Sequence, residues 1–413
     1  MFRRRGLLAG GLALPFVARA AGVARVVIVG GSFGGIAVAR LLHAADPALA
    51  ITLVEREPVI STGPGSNAVI AGLRPIASIR FRWQGVGGIV SRPGEAVGVD
   101  PVARTLTLHD GAVLGYDRLV LAPGVDIAWD GLPGYDAAAA ERMPHAWQGE
   151  AQTILLRRQL AAMADGGTVV MAIAANPIRC PIAPYERASL IAGFLKARKP
   201  RAKLLVLDAK EHFSNQANFQ AAWDSLYPGL LEWVGLPDGG RVVAVDAGAK
   251  KFSTEFDDHR CDVGNVIPPQ RAAAIAHAAG VADGTGWCPV DPATFGSRLV
   301  PDIHVIGDAI IGGAMPKAAF AAGEHARACA AAIIASLSGR AFAPLRLGNI
   351  CYGLAAPDYG FSARGAYLPK DGVLAEIDGT GISSPPDAPA ATRIKEAEDG
   401  DAWFRGITAG SFV

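Results

Sequence analysis

The 413 residues of this chain exceed what one hydrophobic core organises, so two or three domains are expected. Thirty-nine Lys and Arg stand against 38 Asp and Glu, a formal net charge of +1, which excludes bulk attraction to nucleic acid or to an anionic membrane and leaves partner choice to local patches. Hydrophobic content of 51% with 50 glycines fits an α/β protein with many tight turns, and no internal repeat or low-complexity array is present.

The amino terminus reads as an export signal over residues 1–20. Met1 to Arg5 is a basic stretch, Gly6 to Val17 a short apolar core, and Ala18-Arg19-Ala20 a small-residue cleavage site. Arg4-Arg5-Gly6-Leu7-Leu8 resembles a twin-arginine signal, the route for proteins that fold around a cofactor before export. No later apolar run is long enough to cross a bilayer. The mature chain, from about Ala21, is therefore expected to be periplasmic and soluble, with no stable membrane insertion.

Arg25 to Val29 is an apolar strand that enters Gly30-Gly31-Ser32-Phe33-Gly34-Gly35, then a helical stretch from Ile36 to His43 and a second strand, Ile51 to Val54, ending at Glu55. Strand, glycine turn, helix, strand and acid together predict a dinucleotide site, with the pyrophosphate at the helix start and Glu55 on ribose hydroxyls. Ser32 replaces the middle glycine of the usual pattern. Two later segments favour FAD over NAD. Tyr116 to Gly124, with Ala122 and Gly124 at its turn, resembles the strand by which flavoproteins with two dinucleotide-type domains leave the first domain. Val300 to Asp308 resembles their late strand, whose Gly307-Asp308 turn binds the ribityl chain. Met315-Pro316-Lys317-Ala318 then opens an alanine-rich helix, Ala319 to Leu337, whose positive N-terminal end would favour an anionic reduced flavin. Lys317 reads either as an addition to that field or as a solvated helix-start lysine.

Between these segments, Gly167 to Ala174 reads as a buried strand that ends in Ala175-Asn176-Pro177-Ile178-Arg179-Cys180-Pro181. Two prolines and an arginine exclude the close backbone approach that a pyrophosphate needs, so this strand end is expected to hold no NAD(P)H. It presents a thiol instead. Leu204 to Asp208 is the next strand of this second unit. The five cysteines, Cys180, Cys261, Cys288, Cys329 and Cys351, show neither a CxxC nor a zinc spacing. Cys329 reads as a small core residue of the alanine-rich helix, and Cys261 and Cys288 carry no assigned chemistry. Cys180 and Cys351 each follow a strand or turn, and a bridge between them reads equally as structural or as redox-active.

These segments resemble the flavoprotein subunit of flavocytochrome c sulfide dehydrogenase, within the sulfide:quinone oxidoreductase group. The carriers are Arg179-Cys180-Pro181 with Pro184-Tyr185-Glu186-Arg187-Ala188, Gly286-Trp287-Cys288-Pro289-Val290-Asp291, Ile306-Gly307-Asp308, Asn349-Ile350-Cys351-Tyr352 and the tail residues Trp403-Phe404 and Ile407-Thr408. The resemblance implies the FAD/NAD(P)-binding disulfide oxidoreductase fold: an α/β protein with two Rossmann-like domains and a C-terminal α+β interface domain. The expected FAD domain is discontinuous, residues 24–140 and 265–338. The second Rossmann-like domain spans 141–264 and the C-terminal domain 339–413, where 379–389 reads as an irregular surface loop.

The resemblance further implies a redox-active disulfide between Cys180 and Cys351 beside the flavin. Hydrosulfide would attack one sulfur, leaving a persulfide and a thiolate that passes two electrons to FAD. Glu186 matches a family acid–base glutamate, and reads also as an ordinary helix-start carboxylate with Arg187 and Lys196 for neighbours. The candidate cofactor-binding residues are Gly30, Gly31, Ser32, Gly34, Gly35, Glu55, Arg56, Asn67, Ala122, Gly124, Gly307, Asp308 and Lys317. One departure is plain. Gly63, in Ser61-Thr62-Gly63-Pro64-Gly65-Ser66-Asn67, stands where such flavoproteins often carry a flavin-linked cysteine, so the FAD is expected to be non-covalent. The resemblance implies a c-type cytochrome as partner, and since no C-x-x-C-H motif is present its haem is expected on another chain. Two alternatives stand beside this reading: a sulfide:quinone oxidoreductase, against which the tail Asp399 to Ile407 reads as too short and broken for a membrane anchor, and a non-catalytic flavoprotein partner of a sulfur-oxidation system.

Overall fold

The structure, a computed structural model, describes residues 23–412; the expected export signal lies outside the described residues. Strand β1 (Arg25–Val29) buries its last four residues and turns through Gly30 to Ser32 into helix α1 (Phe33–Ala45). Strand β2 (Ala50–Glu55) returns parallel to β1. A short helix, α2 (Ser66–Ile70), precedes the edge strand β3 (Val90–Pro93) and then β4 (Arg118–Leu121) on the other flank of β1. The chain next builds β5 (Thr168–Ile173), α3 (Ala183–Arg198), β6 (Lys203–Asp208), β7 (Leu231–Val234) and β8 (Val263–Ile267). It re-enters the first sheet with β9 (Ile303–Val305), followed by α4 (Ala319–Leu337), which packs along α1. Strands β10 (Leu347–Ala356), β11 (Tyr359–Lys370) and β12 (Val373–Glu376) and helix α5 (Ala390–Phe412) complete the chain.

The first sheet has the order β9-β4-β1-β2-β3 and the second β7-β6-β5-β8, with all neighbours parallel. In each, the first strand of the unit lies inside the sheet and the chain departs from it towards both flanks. That reversal opens a crevice at the carboxyl ends of β1 and β5, where α/β sheets bind ligands. The glycine turn sits at one crevice and the Cys180 loop at the other. β10, β11 and β12 form the antiparallel C-terminal sheet.

Two large cores follow this division. Ile28, Leu53, Val120, Val305 and Cys329 belong to the first and Met171, Tyr185, Leu204, Phe219 and Phe361 to the second. Cys329 is fully buried, as a small core residue should be. Cys351 packs against both cores, so the C-terminal sheet carries it into the seam between the two Rossmann-like units.

Three boundaries differ from the sequence reading. Asn265 lies within β8, which pairs with β5, so the return to the first unit falls after Ile267 rather than at 265. The stretch 379–389 is not wholly a surface loop: Ile382 and Ser383 pair with β11, and Ser384 is buried. The tail is a continuous 23-residue helix, α5, rather than a broken segment. Its buried positions Arg393, Ala397, Phe404 and Thr408 recur every four or seven residues and face the fold, a pattern hidden by the helix's polar composition. No helix among the described residues is long and apolar enough to cross a membrane.

Candidate functional site

At the β1 crevice, Gly30 adopts φ +103°, and a Cβ there would lie 2.3 Å from the Ala122 carbonyl oxygen. A Cβ on Gly35 would lie 1.7 Å from the Gly30 carbonyl oxygen, so the turn closes only with both glycines. Ser32 caps α1 without a side-chain bond, which leaves the first-turn N–H groups facing the crevice for an anion. Gly34 packs against Ile306 and Ala322, bringing α1 onto α4. Glu55 accepts from Gly31 N–H at 2.5 Å and from Glu57 N–H at 2.8 Å, which fixes its carboxylate at the turn. Gly124 has φ +69° just beyond β4, and its carbonyl accepts from Ala273 N–H. Arg56 points to solvent and pairs with Glu57 and Glu95, away from the turn.

Two buried polar atoms without partners border this crevice. Trp83 Nε1 stands against the turn, 2.5 Å from where a Gly31 Cβ would be, and Asp308 Oδ1 lies on the Gly307-Asp308 turn after β9. A donor beside the phosphate-type turn and an acceptor further along fit a dinucleotide that brings phosphate oxygens and polyol hydroxyls. The residues therefore fit FAD. Burial raises the Asp308 pKa, against the opposing charges of Arg179 and Lys317. His325 Nδ1 accepts from Gly307 N–H at 3.2 Å, and burial lowers its pKa to about 3, so a neutral ring holds the turn that presents Asp308. Lys317 is no solvated lysine. It donates to the carbonyls of Asp308 (2.8 Å) and Ile310 (2.5 Å) and lies 3.8 Å from the Trp287 ring centroid, while burial lowers its pKa to about 8.

Cys180 occupies the β5 crevice with φ +52° and donates its N–H to the Lys317 carbonyl at 2.7 Å, which places it beside the residues leading into α4. Cys180 and Cys351 are free thiols, each partly buried. Burial raises both pKa values; the charge of Cys351 adds to the rise at Cys180, and that of Glu186 adds at both. Asn349 Nδ2 donates to Cys351 Sγ at 3.3 Å. Arg179 is the cation that opposes the rise at Cys180. Its guanidinium donates to the Trp147 carbonyl, stands over the Trp147 ring and would lie 3.6 Å from a Cβ at position 63. Gly63 therefore faces the thiol loop.

Glu186, in the first turn of α3, joins the three units. Its Oε2 accepts from Asn67 Nδ2 at 2.7 Å and its Oε1 from the N–H of Leu354, three residues after Cys351, at 3.3 Å. Neither expected neighbour pairs with it directly: Lys196 Nζ donates to the Leu226 carbonyl, and the buried Arg187 donates to Asn67 Oδ1, Asn265 Oδ1 and the carbonyls of His145 and Ala146. The Asn67 amide is engaged by Glu186, Ala183 and Arg187. The roles of Trp83, Arg179 and His325 were not read from the sequence. Arg179 lay within the quoted motif, whereas Trp83 and His325 gave no signal, since a tryptophan in a loop and a histidine in an alanine-rich helix read as packing.

The second crevice is filled by its own side chains. Asp208 ends β6, where a nucleotide site would keep its ribose acid, yet it is fully buried and paired with Lys210 Nζ at 2.6 Å. Tyr185 OH (2.7 Å) and Trp233 Nε1 (3.1 Å) donate to its other oxygen, and Phe213 stacks on Tyr185 at 3.6 Å. A nucleotide would have to displace this cluster. NADH and NADPH at millimolar concentration are therefore expected to leave the flavin oxidised in anaerobic absorbance titrations, and saturable bleaching would contradict that.

The comparisons with known proteins agree with this geometry. Residues 153–268 match the family described as sulfide dehydrogenase (flavocytochrome c) flavoprotein chain, central, and residues 343–412 match flavocytochrome c sulphide dehydrogenase, flavin-binding. The sulfide dehydrogenase (flavocytochrome c) flavoprotein chain of Chlorobaculum thiosulfatiphilum is 50% identical over 48 residues, 12% of this chain and 100% of that sequence. The sulfide-quinone reductase of Aquifex aeolicus (strain VF5) is 33% identical over 106 residues, 24% of each chain. The crystal structure of the sulfide:quinone oxidoreductase from Aquifex aeolicus superposes with a TM-score of 0.73 at 18% identity, covering 94% of this chain and 92% of that one, which shows a shared fold. With both matched segments carrying a thiol of the site, the chain belongs to the flavoprotein-chain family of flavocytochrome c sulfide dehydrogenase, FAD-dependent oxidoreductases of the α/β two-dinucleotide-domain fold.

Proposed function

We propose that this protein is a periplasmic sulfide dehydrogenase flavoprotein subunit that oxidises hydrosulfide through a Cys180–Cys351 disulfide and passes the electrons to a c-type cytochrome. The observation that carries this reading is that Cys180 and Cys351, from separate units, lie near enough for the charge of Cys351 to act on Cys180, with Glu186 bonded to the segment after Cys351 and the Lys317 backbone against Cys180. In the oxidised form the two sulfurs are paired. Hydrosulfide attacks one, the Cys–Cys bond breaks, a persulfide forms on that cysteine, and the other leaves as a thiolate. Arg179 stabilises negative charge at Cys180, and Glu186 takes up the proton of the incoming sulfur species. Gly30 to Gly35, Glu55, Trp83 and Asp308 would hold the FAD, which when bound would supply a two-electron acceptor.

The resemblance of Arg4 to Leu8 to a twin-arginine signal supports the periplasm, and the name of the Chlorobaculum relative, a flavocytochrome c chain, supports the cytochrome partner. Gly63 supports non-covalent FAD, since glycine forms no thioether. One preparation tests the whole reading. Anaerobic sulfide should bleach the flavin, and turnover should follow with cytochrome c rather than a soluble quinone. Acid precipitation should then release all the yellow colour to the supernatant. No bleaching by sulfide would leave a non-catalytic flavoprotein partner as the better reading, quinone as the preferred acceptor would make the protein a quinone reductase, and yellow precipitate would overturn the non-covalent assignment.

A further inference from the structure

The Glu186 carboxylate receives two hydrogen bonds, both from groups that only donate: Asn67 Nδ2 at 2.7 Å and Leu354 N–H at 3.3 Å. Asn67 belongs to the first unit, Glu186 to the second and Leu354 to the C-terminal sheet. The other face of the Asn67 amide accepts from Arg187 Nε at 3.0 Å, and Nδ2 also donates to the Ala183 carbonyl at 2.9 Å. The amide is thereby oriented without ambiguity, since Arg187 has no acceptor to offer and the Ala183 carbonyl no donor. Asn67 is 5% exposed and Arg187 1% exposed, so water does not compete for these bonds.

We propose that Asn67 is a positioning residue that holds Glu186 as a carboxylate near the two thiols, its orientation set by the buried Arg187. This rests on the reading of Glu186 as the proton-transfer group of the site. A donor at 2.7 Å to one carboxylate oxygen favours the ionised form, and a proton on that oxygen would face Nδ2, which cannot accept it. Burial acts in the opposite direction and is the largest influence on Glu186, with Asn67 first among the opposing ones. The other titratable groups facing Glu186 are Cys180 from its loop, Cys351 from β10 and Arg187 from α3. Neither thiolate favours a second negative charge nearby, so the neutral Asn67 amide lets Glu186 remain a base without adding to that repulsion.

Asn67→Asp is the sharpest test, because it is isosteric, keeps an acceptor for Arg187 and replaces the donor towards Glu186 with a second acceptor. Asn67→Ala removes both bonds. In holoprotein checked for flavin content, the carboxyl stretch of Glu186 is followed by infrared titration and assigned by its loss in Glu186→Gln. The midpoint is expected to rise by about one pH unit or more in both Asn67 variants, and the acid limb of the sulfide turnover profile to move with it. Where Asn67→Ala fails to retain FAD, Asn67→Asp decides. An unchanged midpoint in Asn67→Asp overturns the proposal. If the midpoint rises but Glu186→Gln turns over sulfide at the wild-type rate, Asn67 still controls Glu186 and it is the catalytic reading of Glu186 that falls.

Discussion

Cys351→Ser is expected to lower sulfide-dependent cytochrome c reduction by several orders of magnitude, as when a covalent relay loses one of its members. A serine at 351 forms no bridge, so Cys180 has no partner to leave as thiolate when hydrosulfide attacks. The FAD should remain, because its candidate ligands lie on other elements: Gly30 to Gly35 on the β1–α1 turn, Glu55 at the end of β2 and Asp308 after β9. Flavin-to-protein ratio is therefore measured first. Cys329→Ala serves as the control. Its sulfur lies fully buried in α4, in the first core, and its removal should cost only about 1 kcal/mol of stability with turnover intact. Wild-type rates in Cys351→Ser would end the redox-disulfide mechanism, whatever the flavin content.

Arg187→Leu is expected to destabilise the fold by about 3–5 kcal/mol, read as a lower denaturation midpoint at fixed FAD concentration. The guanidinium donates to four groups, Asn67 Oδ1, Asn265 Oδ1 and the His145 and Ala146 carbonyls, and leucine would remove this donor from each, leaving the His145 carbonyl only its bond from Asn265 Nδ2. The charge is sustained by those acceptors and by the Trp147 ring 5.1 Å away, even though burial lowers its pKa to about 9, so it is present at neutral pH. Arg56→Ala, which removes an exposed arginine paired only at the surface with Glu57 and Glu95, should stay within about 0.5 kcal/mol of wild type. Equal midpoints in the two variants would mean that the Arg187 bonds do not join the units.

The first nucleotide crevice was legible because its requirements are local. A parallel strand, a turn that admits only glycine and a helix start occur within about a dozen residues, and Gly30 and Gly35 are needed there for steric reasons that do not depend on the rest of the chain. Helix α4 was legible to its ends, Ala319 and Leu337, for the same reason: an alanine-rich run has one favoured local state. The tail helix was not, since its buried positions make sense only against β11 and β10, and its glycines and acids argue locally for a break.

The thiol site divides along the same line. Prolines and an arginine after β5 are the local signal against a phosphate turn, and the sequence alone placed Cys180 in the loop after a buried strand. Only the tertiary structure decided that Asn67, Glu186 and Leu354 meet, because they are 119 and 168 residues apart and belong to three units. It likewise gave the hydrogen bonds of Arg187 and Lys196 to partners other than the Glu186 carboxylate, among them backbone carbonyls that no spacing rule identifies. Short-range sterics and periodicity are written in neighbouring residues, whereas the partners of a buried polar group are set by which surfaces come together when the units pack.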